Sequence, residues 1–249
     1  MKVSIITVVF NNRKTILDTI ESVNDQKYND KEYIIIDGGS TDGTIDILKN
    51  YDNNIDIFIS EKDRGMYDAI NKGISVASGD VIGLLHSDDV YTSENTLSRI
   101  ANTFFDLNVD STYGDLIYID RHNPDKIVRK WKSGQYERSK FLYGWMPPHP
   151  TFFVKRHLFN KYGYYDLSFK NAADYELMLR FLYKYKISTY YIPEVLVKMR
   201  TGGKSNESLK NRLIANGQDN RAWKKNDLAP RFYTRYLKPL HKISQFIGN

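Results

Sequence analysis

The chain has 249 residues, with 36 Lys+Arg against 30 Asp+Glu for a net charge of +6, and 41% of it is hydrophobic. A globular chain of this length buries roughly three quarters of its unfolded surface and needs no staple to hold a core; the absence of cysteine excludes a disulfide scaffold, a Cys-ligated zinc, an iron–sulfur cluster and a thiol nucleophile. No window reaches the roughly 18 uninterrupted apolar residues of a membrane span, and Met1 to Asn12 lacks the features of a secretory signal, so the expectation is a cytoplasmic chain, soluble or peripheral.

Val3 to Phe10, Glu32 to Asp37, Ile55 to Ser60 and Asp80 to His86 read as strands dense in Ile, Val and Phe. Their near-continuous apolar runs predict a sheet covered on both faces. Between them, Thr15 to Asp25, Thr44 to Tyr51 and Tyr67 to Ala77 have helical spacing, as in Ile16, Ile20 and Val23 or Ile70 and Ile74. This alternation predicts a parallel, doubly wound α/β sheet whose binding crevice lies outside the carboxyl ends of the strands. Those ends carry Asn11-Asn12, Asp37-Gly38-Gly39-Ser40, Glu61 to Gly65 and His86-Ser87-Asp88-Asp89, which gathers carboxylates at one edge.

The second half is more mixed. Ser93 to Phe105 reads as a helix, Thr112 to Asp120 and Lys126 to Trp131 as strands, and Met146 to Pro150 as a rigid loop leading into a strand at Thr151 to Val154. Ala173 to Tyr185 has the pattern of an amphipathic helix and Ser188 to Leu196 that of a strand. From Lys204 onward ten Lys/Arg face three Asp/Glu, a net of +7, so the residues before it sum to −1 and the basicity belongs to the tail.

Three acidic motifs invite chemistry. Asp37 to Thr44 ends a strand and opens a helix; a well-capped turn explains it, while Asp37 at the sheet edge is also placed to accept from a base N–H or ribose hydroxyls. Asp88 and Asp89, adjacent at the exit of an apolar strand, repel one another unless a cation or donors neutralise them. A hard ion such as Mn²⁺ or Mg²⁺ would do so, with phosphates filling its other positions; a helix-capping turn is the plain alternative. Asp174 opens the later helix, either as a first-turn residue favoured by the helix dipole or as a general base facing a cleft.

Val3 to Asn11, the Asp37 motif, Ser60 to Gly73, Ser87-Asp88-Asp89 and Ala173 to Arg180 occur in the order seen in family 2 glycosyltransferases, and from Lys2 to about Gly203 the chain resembles that family. It is most similar to bacterial enzymes that build O-antigen or exopolysaccharide units. The resemblance implies a GT-A fold, a nucleotide-sugar donor with UDP favoured, and transfer with inversion. It implies that Thr7, Asp37 and Asp63 lie beside the nucleoside, that Asp88 approaches the ribose and diphosphate, that Asp89 is the principal ligand of Mn²⁺ or Mg²⁺, and that Asp174 is the catalytic base. Two departures stand out. Ala173 replaces the family's usual Glu before the base, and His86 occupies the first place of an Asp-x-Asp signature, as a metal ligand, a diphosphate donor or a strand-end residue. Pro147 to Thr151, with His149, resembles a segment on the acceptor side; Arg200 to Ser205 resembles a loop that closes near the donor diphosphate, where Arg200 and Lys204 would donate to phosphate. A proline turn and a basic loop are the bland readings of these two. The chain would then divide into a GT-A domain over 1–203, with a nucleotide-sugar half at about 1–110 and an acceptor half at about 111–203, and a basic helical tail over 204–249.

Arg231 to Ile247 interleaves apolar residues with Arg235, Lys238 and Lys242. That pattern suits a helix on the anionic inner face of the cytoplasmic membrane, or one packed on the domain or a second subunit. Membrane contact would suit a saccharide acceptor linked to a lipid diphosphate, which the resemblance implies. A nucleic-acid partner is not expected, because the positive charge is confined to the tail and no nucleic-acid-binding motif is present. Phe10-Asn11-Asn12-Arg13 stands where a dinucleotide-binding Gly-x-Gly-x-x-Gly would follow the first strand, and a Walker A loop is missing. The rival is a non-catalytic nucleotide-binding or interaction domain derived from a transferase; retention of Asp37, Asp88, Asp89 and Asp174 argues against it.

Overall fold

Every residue of Val3–Val9 (β1) is buried, and so are six of the seven in Lys31–Asp37 (β2). Strands without a solvent face belong at the centre of a sheet covered on both sides. In the computed structural model, which describes residues 1–202, 218–231 and 234, they pair in parallel, flanked by Ile57–Ser60 (β3) and Val81–Leu84 (β4), in the order β3-β2-β1-β4. The register sets Asp37 level with Val9 and Ser60, so the three strands reach the carboxyl edge together.

Helices Ile16–Asn24 (α1), Thr44–Asn50 (α2) and Met66–Val76 (α3) make the crossovers. Because side chains alternate along a strand, Val3, Ile5 and Val9 meet Ile16, Ile20 and Val23 on one face, while Ile6, Ile34 and Ile36 meet Ile70 and Ile74 on the other. Helix α3 lies close on the sheet: a Cβ at Gly73 would stand 2.5 Å from the Ile6 side chain.

Beyond β4 the sheet turns mixed. Val90–Tyr91 (β5), Ser111–Ile119 (β6), Ile127–Trp131 (β7), Phe153–Lys155 (β8) and Thr189–Arg200 (β9) complete it; β4 pairs antiparallel with β8, β8 with β6, and β6 runs parallel to β9. Helices Thr96–Leu107 (α4), His157–Tyr162 (α5) and Ala173–Met178 (α6) cover this half. The single amphipathic helix expected over Ala173 to Tyr185 is α6 followed by π-helical turns over Leu179–Lys184. Leu179, Arg180, Phe181 and Leu182 are all buried in sequence, so the segment is enclosed rather than two-faced. Strand β9 runs past the expected end at Leu196 and carries Arg200 to the carboxyl edge.

Residues 218–225, counted with the tail in the sequence reading, are helical and bury Ala222 and Trp223 in the core beside Tyr175. This stretch belongs to the packed body. Lys204 and nearly all of the amphipathic segment from Arg231 to Ile247 lie outside the described residues. Among the described residues no helix is long and apolar enough to cross a membrane.

Candidate active site

The carboxyl ends of β1, β2 and β4 are laced together by side chains. Asn11 Oδ1 accepts from the Thr41 amide at 2.8 Å, and Asn12 Nδ2 donates to both the carbonyl and the hydroxyl of Ser87 at 2.9 Å. Within this frame Asp37 is fully buried. Its Oδ2 accepts from the Gly39 and Ser40 amides at 3.0 Å each and from the Ser60 hydroxyl at 2.7 Å. Its Oδ1 is buried and has no partner among the described residues. An unmatched carboxylate oxygen is costly, so a ligand N–H or O–H presented there would be bound.

Asp63 crosses to the same loop. Its Oδ1 accepts from the Gly65 amide at 2.8 Å, and its Oδ2 lies so close over Gly38 that a Cβ there would be 2.6 Å away. Only glycine leaves Asp63 in that place. Thr7 differs from these two, being fully buried with its hydroxyl 3.2 Å from that of Tyr33, in the layer between β1, β2 and α1.

The pair at the end of β4 splits in level. Asp88 is half-buried, and its Oδ2 accepts from Arg121 at 3.2 Å. Asp89 has no exposed surface, and among the described residues neither of its carboxylate oxygens has a partner within hydrogen-bond geometry, the Arg200 backbone amide being the donor whose influence it feels. Burial, and then the charge of Asp88, pushes its carboxyl well above the usual range, against the opposing influence of Arg200. Asp88 is thus the more exposed of the two carboxylates. Adjacent hard oxygens with two lone-pair sites unmatched fit a divalent ion. Yet no three His, Cys, Asp or Glu among the described residues are grouped to hold one alone, so ligand phosphates would have to complete its shell.

Arg200 donates to the Asp88 carbonyl at 3.1 Å and pairs with Asp18 of α1, with little exposed surface, and so ties α1 to the end of β4. Arg121 Nε also donates to the Thr201 carbonyl at 3.1 Å, tying Asp88 to the chain that follows β9.

A second cluster lies against the first. His86 Nε2 is 3.5 Å from His149 Nδ1, and His149 Nε2 is 3.3 Å from the Tyr165 hydroxyl. Burial pulls both imidazoles down to about 4, with the neighbouring His149 adding to the effect on His86. Both are neutral near pH 7, so each ring carries one N–H donor and one acceptor nitrogen. Tyr165 stacks on Tyr67, with centroids 5.7 Å apart, and the Tyr67 hydroxyl donates to Asp174 Oδ1 at 3.2 Å. Asp174, half-buried in the first turn of α6, is thus joined to the group that holds His149.

A family model described as Glycosyl transferase family 2 matches residues 4–164. The chain belongs to that family. This glycosyltransferase is 34% identical over 183 residues to an uncharacterized glycosyltransferase of Mycobacterium tuberculosis, covering 72% of the chain and 68% of the relative. It is 29% identical over 208 residues to a PGL/p-HBAD biosynthesis glycosyltransferase of Mycobacterium bovis, covering 82% and 78%. Among solved structures, TarS of S. aureus in complex with UDP-GlcNAc superposes with a TM-score of 0.71 at 16% identity over 99% of the chain and 72% of that protein. A mannosyltransferase from Pyrobaculum calidifontis with GDP-Man and Mn²⁺ gives 0.66 at 16% identity over 98% and 69%. The fold of the enzyme is GT-A, as the motif order implied.

Three members of the site escaped the sequence reading. Arg121 is a lone arginine in a polar turn, and nothing in its surroundings points to Asp88. Tyr67 sits inside the Ser60 to Gly73 segment but reads as a core aromatic, and Tyr165 carries no local signal at all.

Proposed function

We propose that this glycosyltransferase moves a sugar from a nucleotide-sugar donor, UDP-linked first among the candidates, to a saccharide hydroxyl with inversion, in the synthesis of a bacterial surface polysaccharide. The acceptor is carried on a lipid diphosphate, and the enzyme works at the inner face of the cytoplasmic membrane. The observation that carries the donor reading is the unmatched, buried Oδ1 of Asp37 with Asp63 beside it at the carboxyl edge. Support for a saccharide acceptor comes from a relative named chondroitin synthase in Escherichia coli, 31% identical over 180 residues, of which the chain spans 26%.

In this reading Asp37 Oδ1 and Asp63 receive donors of the nucleoside. Asp88, with Arg121 at its side, faces the diphosphate. Asp88 and Asp89 would hold a divalent ion, Mn²⁺ or Mg²⁺, whose chemistry is to neutralise the departing nucleoside diphosphate. Asp174 takes the proton of the acceptor hydroxyl as its oxygen bonds the anomeric carbon, while the bond from that carbon to the diphosphate oxygen breaks on the opposite face. His149 lines the acceptor side. One displacement of this kind inverts the centre and needs no covalent intermediate.

Calorimetric titration of UDP, GDP and dTDP, with and without Mn²⁺, tests this in wild type, Asp88→Ala and Asp174→Asn. One nucleotide should bind with help from the metal, the help vanishing in Asp88→Ala and persisting in Asp174→Asn, which should fail only in transfer. If no nucleotide binds under any condition, the donor reading falls and the non-catalytic alternative takes its place.

A further inference from the structure

Asp174 stands in the first turn of a six-residue helix, and its Oδ1 has Tyr67 as its partner across 107 residues of sequence. A carboxylate at a helix start can adopt several rotamers, and a base must present one oxygen to the acceptor in a fixed direction. The surroundings of Tyr67 restrict it. Helix α3 is seated on β1 through Gly73. One turn after Tyr67, Asn71 clamps the backbone of Tyr165: its Nδ2 donates to the Tyr165 carbonyl at 2.8 Å and its Oδ1 accepts from the Tyr165 amide at 3.0 Å. The clamped Tyr165 ring lies nearly parallel to the Tyr67 ring, at 14°. Arg180 secures the same segment from the other side, donating to the carbonyls of Gly163 at 2.8 Å and Tyr164 at 2.7 Å.

We propose that Tyr67 and Asn71 are positioning residues for the base: Tyr67 holds Asp174 Oδ1 through its hydroxyl, Asn71 holds Tyr67 through the stacked Tyr165, and Oδ2 is thereby presented to the acceptor. This rests on Asp174 being the base. Tyr67 is 7% exposed, so its hydroxyl has few other partners to turn to.

The test uses the full chain with Tyr67→Phe, which keeps the stacked ring and deletes the hydroxyl, and with Asn71→Ala. The Asp174 carboxyl is followed by carbon NMR in protein labelled at aspartate, its resonance assigned by its loss in Asp174→Asn. Turnover is followed as release of UDP from UDP-GlcNAc and of GDP from GDP-mannose. Tyr67→Phe should shift the Asp174 carboxyl resonance at fixed pH and lower kcat by up to about 100-fold with donor KM unchanged. Asn71→Ala should do the same more weakly. An Asp174 carboxyl resonance unmoved in Tyr67→Phe overturns the proposal, with or without turnover on these donors. Asp174→Asn turning over like wild type would instead remove the base assignment itself.

Discussion

Gly38→Ala perturbs the donor edge by a known distance. Its new Cβ would lie 2.6 Å from Asp63 Oδ2 and 3.3 Å from Asp63 Cγ, where ordinary contact begins at 3.4 Å. The carboxylate therefore retreats by about 0.8 Å. What moves is the end of a side chain, so the fold should lose no more than about 0.5 kcal/mol. A ligand hydrogen bond is less forgiving: one of about 2.8 Å lengthened by this much is no longer a hydrogen bond. Losing a bond to a charged group removes about 1.5–3 kcal/mol, which weakens the dissociation constant at least about tenfold. Calorimetry with whichever of UDP, GDP and dTDP the enzyme binds reads this directly, and a cycle with Asp63→Ala locates the cause. In the Asp63→Ala background the alanine at 38 has nothing to displace, so its penalty should vanish. Wild-type affinity in Gly38→Ala, or a penalty undiminished without Asp63, would remove Asp63 from the nucleotide site.

At the opposite edge, burial alone would raise the Glu32 carboxyl, but donors from Ser4, Ser78 and Lys2 bring it down to about 2. A lowered folded-state value stabilises fully above the ordinary carboxylate range and is lost as pH falls toward 2, so the urea-unfolding gap between wild type and Glu32→Gln should be about 3 kcal/mol at pH 7 and less than half of that by pH 3; a gap independent of pH would contradict this. Thr7→Val should cost about 1 kcal/mol by stranding the Tyr33 hydroxyl and leave nucleotide affinity unchanged in the same calorimetry, whereas lost affinity would return Thr7 to the nucleoside. Trp223→Ala, at a side chain 1% exposed, should cost about 3–5 kcal/mol in denaturant unfolding, and a loss below about 1 kcal/mol would detach residues 218–225 from the core.

The donor edge was legible because its signals are local. Strands buried on both faces must be apolar runs, and each of the first four ends at a polar break whose residues can be named from the chain alone. Which side chain of such a break faces a ligand is a matter of level and partner. Asp88 and Asp89 are indistinguishable as letters, yet one reaches the crevice and the other is sealed because β5 begins directly after it. Thr7 shares its alternation with Val3, Ile5 and Val9 and so turns toward α1, where Tyr33 takes its hydroxyl. Arg200 pairs with Asp18, 182 residues away, a partner that no local signal in the sequence announces. Arg121 and Tyr67 acquire meaning only through partners 33 and 107 residues distant.

The two halves of the site are held by different means. The carboxyl edge of β1, β2 and β4 is fixed by short side chains that bond neighbouring loops: Asn11, Asn12, Ser40 and Ser60. Asp174 is fixed from further away, by stacked rings and by a buried ion pair between α6 and the π-helical turns after it, where Glu176 accepts from Arg180 at 2.8 and 3.0 Å and from Asn226 at 3.0 Å. Asn226 and Trp223 come from beyond residue 203, and Trp223 donates to the hydroxyl of Tyr175, the neighbour of Asp174, at 2.9 Å. A boundary drawn after Gly203 would thus leave the carboxyl edge complete and cut the supports of Asp174. Loss of residues 218–226 should then appear in turnover while nucleotide affinity persists, because Asp37, Asp63 and Asp88 are held by Gly39, Ser40, Ser60, Gly65 and Arg121.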